Sequence, residues 1–164
     1  MIKEAKEARR ELHDVYSKAA HPHVVAYALM AGAAGALPVP LMDIPLVTAI
    51  QAKMFQALAS LYNFELDRQT FSEIGGALGI GFLVNLGRRQ VTKLIPLYGA
   101  AVSSLLTAAT TYALGKTLGA YFGVVRKGGV PDPAILKATY SKEFARGRRL
   151  LEDIFKVRTR KEAP

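Results

Sequence analysis

The chain has 164 residues and no cysteine, which excludes disulfides and thiolate metal sites. Half of it is hydrophobic (51%) and 21% is charged, a balance too polar for a purely polytopic membrane protein and apolar enough to bury one real core. The net charge of +9 is uneven: basic residues outnumber acidic ones five to four in 1–23, six to four in 24–125 and eleven to five in 126–164, so the excess sits at the end.

Helical periodicity dominates and strand alternation is nearly absent. The start, MIKEAKEARRELHD, is charged and carries no apolar signal core, so secretion by a signal peptide is not expected. Ala5, Ala8, Leu12, Val15 and Ala19 form one stripe and predict an amphipathic helix over 2–20, interrupted at His21-Pro22. A second helix, rich in alanine and glycine, is predicted over 23–36. Leu37-Pro38-Val39-Pro40 is extended. Asp43 before Ile44-Pro45 reads as an N-cap, and the helix it opens runs to Tyr62. Val47, Ile50, Met54, Leu58 and Leu61 bury one side of that helix. Only Ala49, Lys53, Gln56 and Ser60 make a polar stripe, which predicts a central position. Asp67 caps a fourth helix, with Thr70 and Glu73 spaced as a capping box, and this helix enters the glycine-rich run 74–88.

Pro96 and Gly99 make the next turn, and a long apolar helix follows to Val125. The segment Leu94–Gly115 is uncharged and long enough for about 30 Å of hydrocarbon. It is diluted by serine, threonine and glycine, so it either spans a bilayer or is buried inside a bundle. Ser104, Ala108, Thr111, Gly115, Gly119 and Gly123 fall on one of its faces, a stripe of small residues that lets another helix backbone approach closely. Gly128-Gly129 is a loop, and Asp132-Pro133 starts a last helix over 133–157 with Leu136, Tyr140, Phe144, Leu151 and Ile154 inward. Arg148–Glu152 and Arg149–Asp153 are spaced as outward i,i+4 pairs. Leu46-Val47-Thr48-Ala49 aligns with Leu105-Leu106-Thr107-Ala108, and Tyr62 with Tyr121 at the same offset. This is either an internal repeat or chance likeness between apolar helices.

No catalytic constellation emerges. Gly115-Lys116-Thr117 ends like a phosphate loop, but Thr110 stands where the pattern needs glycine, and the segment is mid-helix. His13, His21 and His23 have no carboxylate or thiol at ligand spacing and read as surface or capping residues. Asp43 and Gln51 flank the Pro-rich turn, where a cap and a helix-to-helix hydrogen bond account for them. Arg146, Arg148 and Arg149, with Lys156, Arg158, Arg160 and Lys161, form a basic cluster. Anionic lipid is its expected partner. Nucleic acid is less expected, because the helix has few interleaved aromatics and no recognised motif.

The order Ala33-Ala34, Pro38-Val39-Pro40, Asp43-Ile44-Pro45-Leu46, Gln51, Met54, Leu58-Ala59, Tyr62, and then Lys93-Leu94-Ile95-Pro96, Gly99, Thr111-Tyr112-Ala113-Leu114-Gly115, Tyr121-Phe122, resembles the helical family known as domain of unknown function six-nine-seven, the YcjF-like family. The likeness covers roughly 24–155. Asn63 departs from it where the family tends to have glycine, and Tyr98 where a small residue is common. The resemblance implies membrane association and a link to Era-like GTP-binding proteins, here in a separate chain. It implies no catalytic residues and no cofactor.

The expected molecule is therefore an all-α, single-domain bundle of about six helices, with two Pro-turn hairpins and a glycine-rich apolar middle. Its parts are an amphipathic helix at 1–22, an apolar core at 23–125 and a basic helix and tail at 126–164. Its expected role is that of a non-enzymatic membrane-associated interaction or scaffold module, homo-oligomeric, peripheral or integral at the cytoplasmic side of the inner membrane. The alternatives are a soluble cytoplasmic adaptor and a helical nucleic-acid binder.

Overall fold

The computed structural model describes residues 1–36, 43–67, 69 and 100–162, and these are helical with short connections. Four helices are seen among them: α1 (Ile2–Gly35), α2 (Asp43–Leu61), α3 (Ala100–Arg126) and α4 (Pro133–Glu162). The expected six become four for two reasons. The first two predicted helices are one continuous α1 with Pro22 inside it. The helix expected from Asp67 through the glycine-rich run, with Thr70 and Glu73, lies outside the described residues, as does the start of the Leu94 run.

Pro22 does not end α1 because it sits on the exposed side of the helix. The hydrogen bond it removes would have run to the carbonyl of Lys18, a residue that is also exposed, so the carbonyl can be satisfied by solvent. Ala20, Val24, Ala28 and Ala31 on the opposite side are buried and carry the helix through the interruption. The apolar stripe that predicted an amphipathic helix at the start of α1 is not the face that packs. Ala5, Ala8, Leu12, Val15 and Ala19 are exposed, and His13 and Tyr16 turn toward α3 instead. Alanine and valine form an apolar face, but packing selected its neighbour, where the tyrosine buries more surface.

Among the described residues α3 is the central helix, packed against α1, α2 and α4; α2 is not. The four exposed residues expected on α2 are exposed, but so are Pro45, Leu46, Thr48 and Ala52. Tyr112, Leu118 and Phe122 of α3 are fully buried with Val24, Met54, Leu58 and Leu151. The wholly apolar ones among them each contribute about 1.5–3 kcal/mol by burial.

The ends of α2 and α3 are built alike. Phe64 N–H donates to Ala59 O (2.8 Å) and Asn63 N–H to Ser60 O (3.1 Å). After α3, Gly129 N–H donates to Val124 O (3.0 Å) and Gly128 N–H to Val125 O (2.8 Å). This is the Schellman pattern, whose C′ residue is left-handed. Asn63 has φ 57° and Gly128 φ 76°. Asparagine tolerates that conformation, so its departure from glycine leaves the turn intact. The shared ending does not support a repeat at the offset read from sequence, because Tyr62 follows α2 while Tyr121 lies within α3.

Asp132 caps α4: its Oδ1 accepts from Ala134 N–H at 2.8 Å, with Pro133 in the first turn. Asp132→Ala is expected to lower stability by about 1 kcal/mol, and Asp132→Asn by much less, in urea denaturation. On the outer side of α4, Glu152 Oε1 pairs with Lys156 Nζ at 3.0 Å rather than with the expected Arg148. The acid-before-base order at i,i+4 is the more favourable one.

Candidate functional site

Three features are candidates for function: the small-residue face of α3, a charged cluster between α1, α3 and α4, and the surfaces at the α3–α4 turn and along α4.

The small residues of α3 face α1 and α2. Ser104, Ala108, Thr111, Gly115 and Gly123 are buried, and Gly119 is half-buried. A Cβ on Gly32 of α1 would stand 2.9 Å from Ala108 Cβ and 3.0 Å from the Ser104 carbonyl. One on Gly115 would stand 2.8 Å from Val24 Cγ1 and 2.9 Å from Met54 Sδ. At Gly123 it would meet the His13 ring at 3.1 Å, and at Gly119 only the Tyr62 hydroxyl at 3.3 Å. The partners run backwards along α1, so α1 and α3 are antiparallel. Thr111 Oγ1 accepts from Gln51 Nε2 of α2 at 3.1 Å, which gives Gln51 an inter-helical partner. Asp43 opens α2, and Tyr62 is buried just beyond it. Pro38, Pro40, Pro96 and Gly99 lie outside the described residues. Gly115-Lys116-Thr117 is inside α3, where Thr117 Oγ1 donates to Ala113 O at 2.8 Å, a helical back-bond rather than a phosphate contact.

The charged cluster was not read from sequence as a unit. Glu143 of α4 is 9% exposed. Its Oε1 lies 4.0 Å from Arg146 Nη1, and its Oε2 is buried without a hydrogen-bond partner among the described residues. Lys116 of α3 is held below the usual lysine range by burial, while Glu143 pulls the other way. Tyr112 lies beside them, its hydroxyl likewise buried and unpartnered among the described residues. His21 meets the Tyr112 ring edge-on at 6.2 Å. Burial pushes the His21 imidazole below its usual 6.5, Lys116 and Arg146 push the same way, and Glu143 opposes them.

The fold thus favours neutral His21. As pH falls, the unfolded chain takes up that proton first. The stability linked to His21 is full above about pH 6.5 and is lost as pH falls through its lowered value in the fold. The melting temperature should drop between pH 7 and pH 5, and His21→Gln should flatten part of that drop.

At the other end of α3, Tyr16, Tyr62, Phe122 and Phe64 stack in sequence with ring centroids 5.3, 5.6 and 5.3 Å apart. The Arg126 guanidinium lies 4.3 Å over the Tyr16 ring and donates to the Tyr62 carbonyl at 2.8 Å. Beside them is a cleft of about 140 Å³, lined by Leu12, His13 and Tyr16 from α1, Tyr62, and Gly123, Arg126 and Lys127. The sequence signal for it was the pair Arg126-Lys127 ending an apolar helix, which does not reveal that α1 and Tyr62 complete the walls.

On α4, Arg146, Arg148, Arg149 and Lys156 are exposed, and the side chains of Arg158, Arg160 and Lys161 lie outside the description. Ile135, Lys142, Arg149 and Lys156 are all exposed and follow one another at intervals of seven, so they share one line along the helix. Lys142 was absent from the cluster read in sequence. No helix among the described residues is long and apolar enough to cross a membrane.

An all-helical bundle centred on a glycine-lined helix, with charge displayed along its outer helix, is the class this fold defines. The chain matches the family described as "Domain of unknown function (DUF697)" over residues 3–140, and it belongs to that family. The match begins earlier than the resemblance read from sequence and takes in nearly all of α1. The chain is also similar to "Magnetosome membrane protein 22" of Magnetospirillum gryphiswaldense, 33% identical over 151 residues, covering 84% of this chain and 73% of that one. No solved structure matches it.

Proposed function

We propose that this protein is a non-enzymatic helical module held peripherally at an anionic membrane surface, on the cytoplasmic side of the inner membrane, as an oligomer. The observation that carries the reading is the exposed Lys142–Arg149–Lys156 line on α4, in a chain whose relative is named a membrane protein. The middle of α3 supports a peripheral attachment, because Tyr112, Leu114, Leu118 and Phe122 are covered inside the bundle. The YcjF-like resemblance makes a separate GTP-binding protein the protein partner to test first.

Co-sedimentation with neutral and anionic liposomes, alongside duplex and single-stranded oligonucleotides, tests the proposal. Salt-sensitive binding to anionic liposomes alone is the expected result. Tighter binding to an oligonucleotide would favour a nucleic-acid binder, and binding to neither would favour a soluble adaptor.

A further inference from the structure

The cleft at the end of α3 has a composition that the basic line on α4 does not explain. Cations at a helix C-terminus are ordinary, since they complement the helix dipole. Here the two cations border a cavity whose other walls are His13, two tyrosines, Leu12 and Gly123, with no acidic side chain among them. Arg126 is held in place by the Tyr16 ring and the Tyr62 carbonyl, which use one ring face and one of its five N–H donors among the described residues. Gly123 keeps the His13 imidazole close against α3, because any Cβ there would press on the ring.

A volume of about 140 Å³ is too small for a nucleotide or other cofactor-sized ligand, whose pockets run to about 300–1,000 Å³. It suits a single phosphate-sized group. Exposed apolar side chains neighbour its lining along the chain. Leu12 is in the wall, Val15 lies one residue from Tyr16, and Val130, 91% exposed, is three residues beyond Lys127 in the α3–α4 turn. A soluble phosphate would gain nothing from these side chains, whereas a lipid would cover them.

We propose that this cleft seats the phosphate of an anionic phospholipid headgroup, with Lys127, Arg126 and His13 around the phosphate and Leu12, Val15 and Val130 in the acyl boundary. The proposal rests on the membrane-associated reading and gives it a defined contact besides the diffuse attraction of α4.

The test compares Lys127→Glu, Val130→Asp and Lys137→Glu with the unaltered protein on vesicles of phosphatidylcholine with and without phosphatidylglycerol. All three side chains are exposed, so the fold is retained, and Lys137→Glu makes the same change in net charge outside the cleft. Lys127→Glu and Val130→Asp should each weaken binding to the anionic vesicles about tenfold or more, and Lys137→Glu less than threefold. Equal losses from Lys127→Glu and Lys137→Glu would overturn the proposal while leaving membrane association standing. No binding by the unaltered protein would overturn both. As a local readout, dihexanoyl phosphatidylglycerol below its micelle concentration should shift the His13 and Gly123 resonances saturably. The same shifts with inorganic phosphate alone would overturn the choice of a lipid.

Discussion

Gly147→Ala is expected to destabilise the protein by about 1–3 kcal/mol, and Gly147→Leu to prevent folding. On an exposed helix the change to alanine would add about 1 kcal/mol of stability through propensity. Here Gly147 is buried on α4 against α3, and a Cβ at that position would overlap the ring of Tyr112. Tyr112 is fully buried, so its ring has no solvent to retreat into, and the two helices must separate. Gly119→Ala is the contrasting case. Its Cβ would meet only the tip of Tyr62, at 3.3 Å, and the substitution should be close to neutral. Urea denaturation of the three variants, with circular dichroism to score helix content, separates these outcomes. A stable Gly147→Leu protein would mean that α3 and α4 do not approach as described.

Reversing Lys142, Arg149 and Lys156 together to glutamate should weaken binding to anionic vesicles by about 100-fold or more at low salt. A basic residue near such a surface is worth about 1 kcal/mol, so three lost attractions already give about 3 kcal/mol, before the repulsion from the new acids. The effect should shrink as salt rises, because exposed charges are screened over about 8–10 Å near physiological ionic strength. Stability should hardly change. All three side chains are exposed, and the ion pair of Lys156 with Glu152 lies on the surface and contributes little. A triple variant that still binds as tightly at low salt would remove α4 from the contact.

What could be read in advance was what depends on local spacing. Asp132-Pro133 marks the start of α4 because capping needs only one side chain and the next two backbone groups. Leu136, Tyr140 and Leu151 are buried because a helical period repeats faithfully within one helix. Ser104, Ala108 and Gly115 share a face for the same reason. Which face of α1 is covered was not legible, since two adjacent faces are apolar and the choice lies with α3. The continuation through Pro22 was equally hidden, because a proline breaks a helix or is tolerated according to which side faces water. The Glu143–Lys116–Tyr112–His21 cluster joins three helices, and the aromatic cleft joins α1, the turn after α2 and the end of α3, all far apart in sequence. Periodicity carries no information about such meetings. Asn63 shows the reverse case: its departure from the family pattern marked the turn that its left-handed backbone completes.

Peripheral attachment to a membrane is the central claim, and alkaline carbonate extraction of cell membranes tests it most directly. The protein should sediment with the membrane fraction at low salt and pass into the supernatant after carbonate or high-salt washing. Retention in the pellet after carbonate, or absence from the membrane fraction before it, would contradict the account.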